Sequence, residues 1–268
     1  MAKSIKTVRK MIRYASEIKR KPFSIDNLTV GVKCALTDTT SGIAANPTVG
    51  NAIDRIIEHG GTAIFTETPE IIGAEHILAG RAVNSEVARQ IVKTARRVEE
   101  HIKALGVDIR GANPSPGNIK AGITTIEEKS LGAILKAGLS KVMGVLKYGE
   151  KPRGRGLYLM DGPGRTHEAL TGLISSSVTV IVMPTGGGSP SGSPIAPTIK
   201  VTGNPKTAIN LEEYIDVDVS TVLKGEEGIE QAGRRVFDEI INVASGKKTK
   251  IESLGYGSIA IYTLWSHL

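Results

Sequence analysis

The sequence predicts an α/β fold, a mostly parallel sheet flanked by helices, Rossmann-like in layout but without a dinucleotide motif. Three observations carry this. Short strand-like apolar runs alternate with helical periodicity along most of the 268 residues, the order that a helix-covered parallel sheet produces. Residues 178–183 (VTVIVM) form a continuous apolar run followed by turn signals, the pattern of a strand buried on both faces. Four polar segments punctuated by Gly or Pro each follow a strand-like run: 34–47 (CALTDTTSGIAANP), 66–70 (TETPE), 160–164 (MDGPG) and 185–192 (TGGGSPSG). In open parallel sheets ligands bind beyond the carboxyl ends of the strands. Four such loops therefore predict the wall of one shared site, and an enzyme or ligand binder.

Taken in order, residues 1–21 carry eight Lys/Arg against Glu17 alone, with Ile5, Val8, Ile12, Ala15 and Ile18 at helical spacing. This is a basic amphipathic helix, set before one α/β domain over 22–268 that is long enough for two lobes. Its leading reading is a solvated face docked on the domain or on a partner. A transit peptide has a similar composition, but the segment runs straight into the fold. Residues 28–33 (LTVGVK) read as a strand, 49–59 as a helix closed by Gly60-Gly61, and 62–65 as the next strand. Helical periodicity over 73–105 breaks near Asn84. A loop over 113–125 follows, with Thr125 and Glu128 in capping-box spacing ahead of a helix to Ala137. Strands are expected at 142–146, 156–160 and 178–183, a long Gly/Ser/Pro loop at 184–197, a helix at 226–244 and a last strand at 259–264.

Composition narrows the function. Aromatic residues are only 4% of the chain, which argues against stacking-based binding of single-stranded nucleic acid. The net charge of +7 suits an anionic substrate or an acidic partner, and leaves a basic nucleic-acid binder as a minor reading. Cys34 stands alone, so no internal disulfide forms and no zinc-type cysteine pattern exists. A reducing, cytoplasmic setting is the natural expectation. No run of about 18 apolar residues predicts a membrane span.

The motif loops supply the candidate chemistry. Cys34 is a metal ligand or nucleophile, or else a small buried hydrophobe. Asp38 is a site carboxylate or a turn cap. Glu67 and Glu70 flank Pro69; they can bind a hard cation or serve as acid and base, while Glu70 also suits the first turn of a helix. Asn113, Asn118 and Lys120 lie on a loop leading to a helix N-terminus, a setting for a carboxylate or phosphate. Asp161 follows an apolar strand, where functional side chains sit. Thr185, Gly186, Gly187 and Gly188 can cradle an anion in a backbone nest, although neither GxGxxG nor GxxxxGK[ST] is present. Lys200 is an anion anchor, a proton-transfer group or a solvated lysine.

Together these segments resemble the altronate/galactarate dehydratase family, sugar-acid hydro-lyases that also include sulfolactate sulfo-lyase. The resembling stretches are RYAS…KRKPFS, VGVKCALTDTTSGIAANPTVG, GGTAIFTETPEIIGAEHIL, NPSPGNIKAGITTIEEKSLGAILKAG, GLYLMDGPG, TGGGSPSGSPIAPTIK and ASG…T…E at 244–252. They run in order along nearly the whole chain. Three departures stand out: CALTD where the family reads CGGSD, TGGG where it reads TGRG, and MDGPG where it reads MDTPG. Gly187 thereby replaces an arginine suited to a bidentate carboxylate contact. The resemblance implies elimination of water from an acid such as altronate or galactarate to a 2-keto-3-deoxy acid, or the sulfolactate reaction of the sibling enzyme. It also implies iron(II) or another divalent ion. In that frame Asp38, Glu67, Lys120 and Asp161 are catalytic candidates, and Cys34, Asp38 and Glu67 metal ligands. Asn113, Asn118, Thr185, Gly186, Gly187, Gly188 and Lys200 would bind substrate. Family members carry a further N-terminal region with His- and Cys-bearing motifs. The expectation is thus a fragment or one subunit of a split enzyme, working as a homo-oligomer or with a complementary subunit. A binding or scaffold subunit without catalysis is the third reading.

Overall fold

The computed structural model describes residues 2–261. Seven parallel strands form one sheet in the order β3-β4-β2-β1-β5-β6-β7. They are β1 (Thr29–Val32), β2 (Thr62–Phe65), β3 (Val142–Leu146), β4 (Gly156–Met160), β5 (Val180–Pro184), β6 (Thr198–Thr202) and β7 (Val217–Asp218). β2, β5 and β6 are buried at every residue, as expected of parallel strands covered on both faces. Strand alternation sorts the core. Val30, Val32, Ala63, Phe65, Leu157, Leu159, Val180 and Val182 belong to the larger apolar cluster. Ile64, Tyr158, Met160, Ile181 and Met183 belong to the smaller one.

The larger cluster is closed by α2 (Asn46–Glu58), α4 (Ser85–Ala104) and α10 (Ile229–Ala244), through Ile53, Ile56, Ile91, Val98, Val236 and Ile240. The smaller is closed by α8 (Thr166–Ser175), through Leu170 and Leu173. Between these lie α3 (Glu75–Gly80), α5 (Ile109–Ala112), α6 (Pro116–Lys120), α7 (Ile126–Ile134) and α9 (Pro205–Asn210), with α11 (Lys250–Ser253) last. Asn84 breaks the 73–105 periodicity by capping α4, its Oδ1 accepting from Val87 N–H. Thr125 caps α7 as its spacing predicts, but the Glu128 carboxylate turns to the Thr124 N–H and hydroxyl. β1 lies between β2 and β5, so the chain leaves it first to one side and later to the other. The crevice beyond a β1/β5 junction of this kind is where doubly wound sheets bind ligands.

Three expectations change. The N-terminal helix, α1 (Ala2–Glu17), does not dock on the domain: Ile5, Val8 and Ile12 are 48%, 51% and 63% exposed. It ends before Lys19-Arg20-Lys21, where crowded like charges and the restriction imposed by Pro22 disfavour helix, and Arg20 ties the segment down by donating to Ala244 O at 2.9 Å. The sequence reading passed over α8, α9, β6 and β7. For β6 the reason is Lys200, a charge in the middle of TIKVT that hides a fully buried strand. The expected last strand is absent over Ile259–Ile261, and its remaining residues lie outside the described part of the chain. No helix among the described residues is long and apolar enough to cross a membrane.

Candidate active site

At the carboxyl edge of the sheet a buried ion cluster joins the first two motif loops. Lys33 and Cys34 follow β1, and Glu67 follows β2 in a left-handed conformation (φ 88°). Such a backbone costs a non-glycine residue of order 1–3 kcal/mol and survives only where its surroundings fix it. They do here. Lys33 Nζ lies 3.1 Å from Glu67 Oε1, and Lys136 Nζ, from the turn after α7, lies 2.8 Å from Oε2. Oε2 also accepts the Cys34 backbone N–H at 2.8 Å and its thiol at 3.1 Å. Lys136 donates to Cys34 Sγ at 3.4 Å, and Lys33 donates to Thr166 Oγ1 at 2.9 Å and to Cys34 O. Burial opposes the charge of Glu67, but Lys136 and Lys33 overcome it and hold the carboxyl down at about 2. Burial alone would lower the Lys136 pKa, and the Glu67 carboxylate beside it pushes it up instead. The Cys34 thiol is pushed up, first by burial and then by Glu67, so it stays protonated. Two ammonium groups thus share one carboxylate, and the cluster carries surplus positive charge. Buried charge of this kind is costly unless an anion compensates it.

Lys200 on β6 lies beside this cluster. It is fully buried, and its Nζ donates to the Ser191 carbonyl of the Gly/Ser loop and contacts Met183 Sδ at 2.9 Å. Burial and the nearby charge of Lys33 lower its pKa to about 7. Around Glu67 the polar groups are paired in turn. Lys129 binds Glu70 at 3.1 Å and Asn113 Oδ1 at 2.6 Å. Asp161 accepts from Thr68 Oγ1 at 2.8 Å and from Arg97.

The other predicted residues are engaged differently from the expectation. Asp38 Oδ1 accepts from Thr40 Oγ1, Ser41 N–H and Ser41 Oγ, and Oδ2 from Asn204 Nδ2 at 2.8 Å. Its carboxylate lies against Gly186, where an added Cβ would sit 2.2 Å from Asp38 Cγ. Only glycine fits there. The Thr185–Gly188 segment is not an open nest: Gly186 and Gly187 N–H donate to Leu36 O, and Gly188 and Ser189 N–H to Thr185 Oγ1. Asn118 caps α6 with Ser115 and donates to Thr37 O at 2.7 Å. Lys120 is exposed at the end of α6. The backbone N–H groups of the Thr185–Gly188 segment are therefore satisfied within the protein rather than free.

The family model described as "D-galactarate/Altronate dehydratase, C-terminal" matches residues 25–267. The chain belongs to this family. The (2R)-sulfolactate sulfo-lyase subunit beta of Chromohalobacter salexigens is 39% identical over 267 residues, covering 99% of this chain and 69% of that protein. The galactarate dehydratase (L-threo-forming) of Escherichia coli is 37% identical over 230 residues, 86% of this chain and 44% of the enzyme. The altronate dehydratase of Bacillus subtilis is 36% identical over 244 residues, 91% of this chain and 49% of the enzyme. The chain spans about half the length of these dehydratases.

The divalent ion implied by resemblance to the dehydratase family finds no fitting donor set here. Cys34 and Glu67 touch, but the Glu67 carboxylate is taken by two ammonium groups, which occupy the place of a cation and repel another. Asp38 spends both oxygens on Ser41, Thr40 and Asn204. Among the described residues no group of three or more His, Cys, Asp or Glu side chains is placed to hold a metal. Sequence reading missed Lys33 and Lys136, each at the end of an apolar stretch (LTVGVK and GAILK). A lone lysine closing such a run was the available signal.

Proposed function

We propose that this member of the dehydratase family is the carboxylate-binding, catalytic part of a lyase that acts on a small 2-hydroxy acid. The observation that supports the reading is the surplus positive charge of Lys33 and Lys136 on Glu67, beyond the β1/β5 junction. Elimination from a 2-hydroxy acid removes the proton from the carbon bearing the carboxylate, which leaves an enediolate, and expels a group from the next carbon. The resulting enol tautomerises to a 2-keto acid. Negative charge grows on the carboxylate oxygens during proton removal, and fixed ammonium groups aimed at them stabilise that transition state. In this reading Lys33 and Lys136 bind those oxygens, Glu67 positions both lysines, and neutral Lys200, with its pKa near 7, accepts the proton. Any divalent ion would need ligands from beyond the described residues. Lys33 and Lys136 are buried, so the reading requires the polar loops around them to open for substrate.

Dehydration of a sugar acid such as galactarate or altronate is the first reading. Sulfite loss from sulfolactate is the second, favoured by the greater share of the sulfo-lyase subunit that the chain covers, 69% against 44% and 49% of the dehydratases. The test is formation of 2-keto acid from galactarate, altronate and (2R)-sulfolactate, with sulfite measured in parallel and the complementary polypeptide present. Turnover of one substrate, abolished in Lys136→Met, is expected. A reconstituted complex that converts none of them overturns the reading in favour of a non-catalytic subunit.

A further inference from the structure

An open groove of about 600 Å³ runs along the outer side of α4, with Ala79, Ala88 and Val92 among its lining and Arg89, Lys93, Arg96, Arg97 and Glu100 around them. The spacing explains it. Positions 89, 93, 96 and 100 recur at helical intervals on one face of α4, opposite the buried Val87, Ile91, Ala95 and Val98. Two of the four cations are already engaged: Arg89 by Glu86 and Arg97 by Asp161. Among the described residues Lys93 and Arg96 form no close ion pair, although Lys93 acts electrostatically on Glu86, and both are exposed. The groove therefore offers unspent positive charge beside a small apolar floor.

Arg97 gives the groove its relation to the rest of the molecule. Its guanidinium holds Asp161, which closes β4 and receives the Thr68 hydroxyl from the turn that begins at Glu67. The groove thus borders the carboxyl edge of the sheet. From this geometry we infer that the α4 groove is the docking surface for an acidic segment of the complementary lyase polypeptide. Three features select that occupant. The charge calls for an acidic partner, the apolar floor of Ala and Val suits protein side chains, and no aromatic residue lines the groove to stack a base. A second copy of this chain, itself at +7, is the wrong sign for it. An acidic side chain that seats on Arg97 competes with Asp161, so docking is coupled to the loop that follows β4.

The inference rests on the reading that a complementary polypeptide completes the enzyme, but its test involves neither substrate nor turnover. Fluorescein-labelled decaglutamate is titrated with the full chain at about 0.15 M salt, where long-range attraction is largely screened. Lys93→Ala/Arg96→Ala should bind it roughly tenfold more weakly, as expected for loss of two exposed charge contacts. Lys6→Ala/Arg9→Ala on α1 removes the same net charge elsewhere and should change affinity by less than about twofold. Asp161→Asn frees Arg97 and should tighten binding by about two- to threefold. Equal losses in the groove and α1 variants would reduce the effect to net charge and overturn the inference. So would the absence of binding, or duplex DNA that displaces the peptide and shows the same dependence on Lys93 and Arg96. Unchanged affinity in Asp161→Asn overturns the coupling through Arg97. Both sets of substituted residues are exposed, and unchanged melting curves confirm that each variant folds.

Discussion

Glutamine in place of Glu67 keeps the shape of the side chain and removes its charge, which isolates the electrostatic part of the cluster. Lys33 and Lys136 stand 3.1 and 2.8 Å from the carboxylate. At an effective dielectric constant of about 20, each pair attracts by roughly 5–6 kcal/mol. That gross gain is offset by the desolvation of three buried ions at several kcal/mol each. The net cost of losing the shared partner of buried charges is about 3–5 kcal/mol. Glu67→Gln should lower stability by that amount in urea unfolding at neutral pH, with an unchanged m-value. Lys136→Met in the same background removes one stranded cation, so the double variant should be more stable than Glu67→Gln alone, a coupling that a double-mutant cycle reads directly. The sign with pH follows from the depressed carboxyl. Wild type keeps this contribution above the ordinary carboxylate range, near 4.5, and loses it as pH falls towards about 2, whereas the variant shows no such loss. A destabilisation below about 1 kcal/mol, or a double variant no better than the single, would refute the buried-cluster argument.

Lys200 has the opposite linkage. Its folded pKa of about 7 lies below the ordinary lysine value of 10.5, so the unfolded chain binds the extra proton between those limits and stability rises with pH across them. Lys200→Met should therefore stabilise the chain at pH 7 by up to about 1.4 kcal/mol per unit of depression, with the gain fading towards pH 10, as thermal melts across pH would read. Gly186→Ala drives a Cβ into the pinned Asp38 carboxylate and should cost about 1–3 kcal/mol or more in denaturant unfolding. Gly187 is exposed, and a Cβ there would come 3.1 Å from the Leu36 side chain, itself exposed and able to give way. Gly187→Arg should leave stability within about 0.5 kcal/mol, and under the sugar-acid reading it should tighten galactarate binding in a calorimetric titration. Lys120→Ala, which removes an exposed side chain, should leave the affinity for small carboxylates unchanged.

The frame of the fold was legible because its strands are apolar runs bounded by glycine and polar loops. β2, β3 and β4 fall on the residues that this pattern marks. β6 escaped because Lys200 interrupts its apolar pattern, and its burial depends on neighbours supplied by tertiary packing. The meeting of the motif loops followed from parallel strands sharing one edge, which brings Cys34 to Glu67, Asp38 to Gly186 and Asp161 to Thr68. What each side chain does there was less accessible. Free backbone N–H groups were expected at Gly186–Gly188, but Leu36 O and Thr185 Oγ1 consume them. The roles of Lys33 and Lys136 escaped because Glu67, the carboxylate they share, lies far from both in sequence.

Lys33 and Lys136 are proposed as the carboxylate-binding centre of a lyase acting on 2-hydroxy acids. Calorimetric titration with glycolate, a 2-hydroxy acid without a group to eliminate, separates carboxylate binding from turnover. Wild type should bind it, and Lys136→Met should bind it at least about tenfold more weakly, the equivalent of about 1.4 kcal/mol from one charge-assisted contact. Equal affinity in wild type and Lys136→Met, with both proteins folded, would contradict the account.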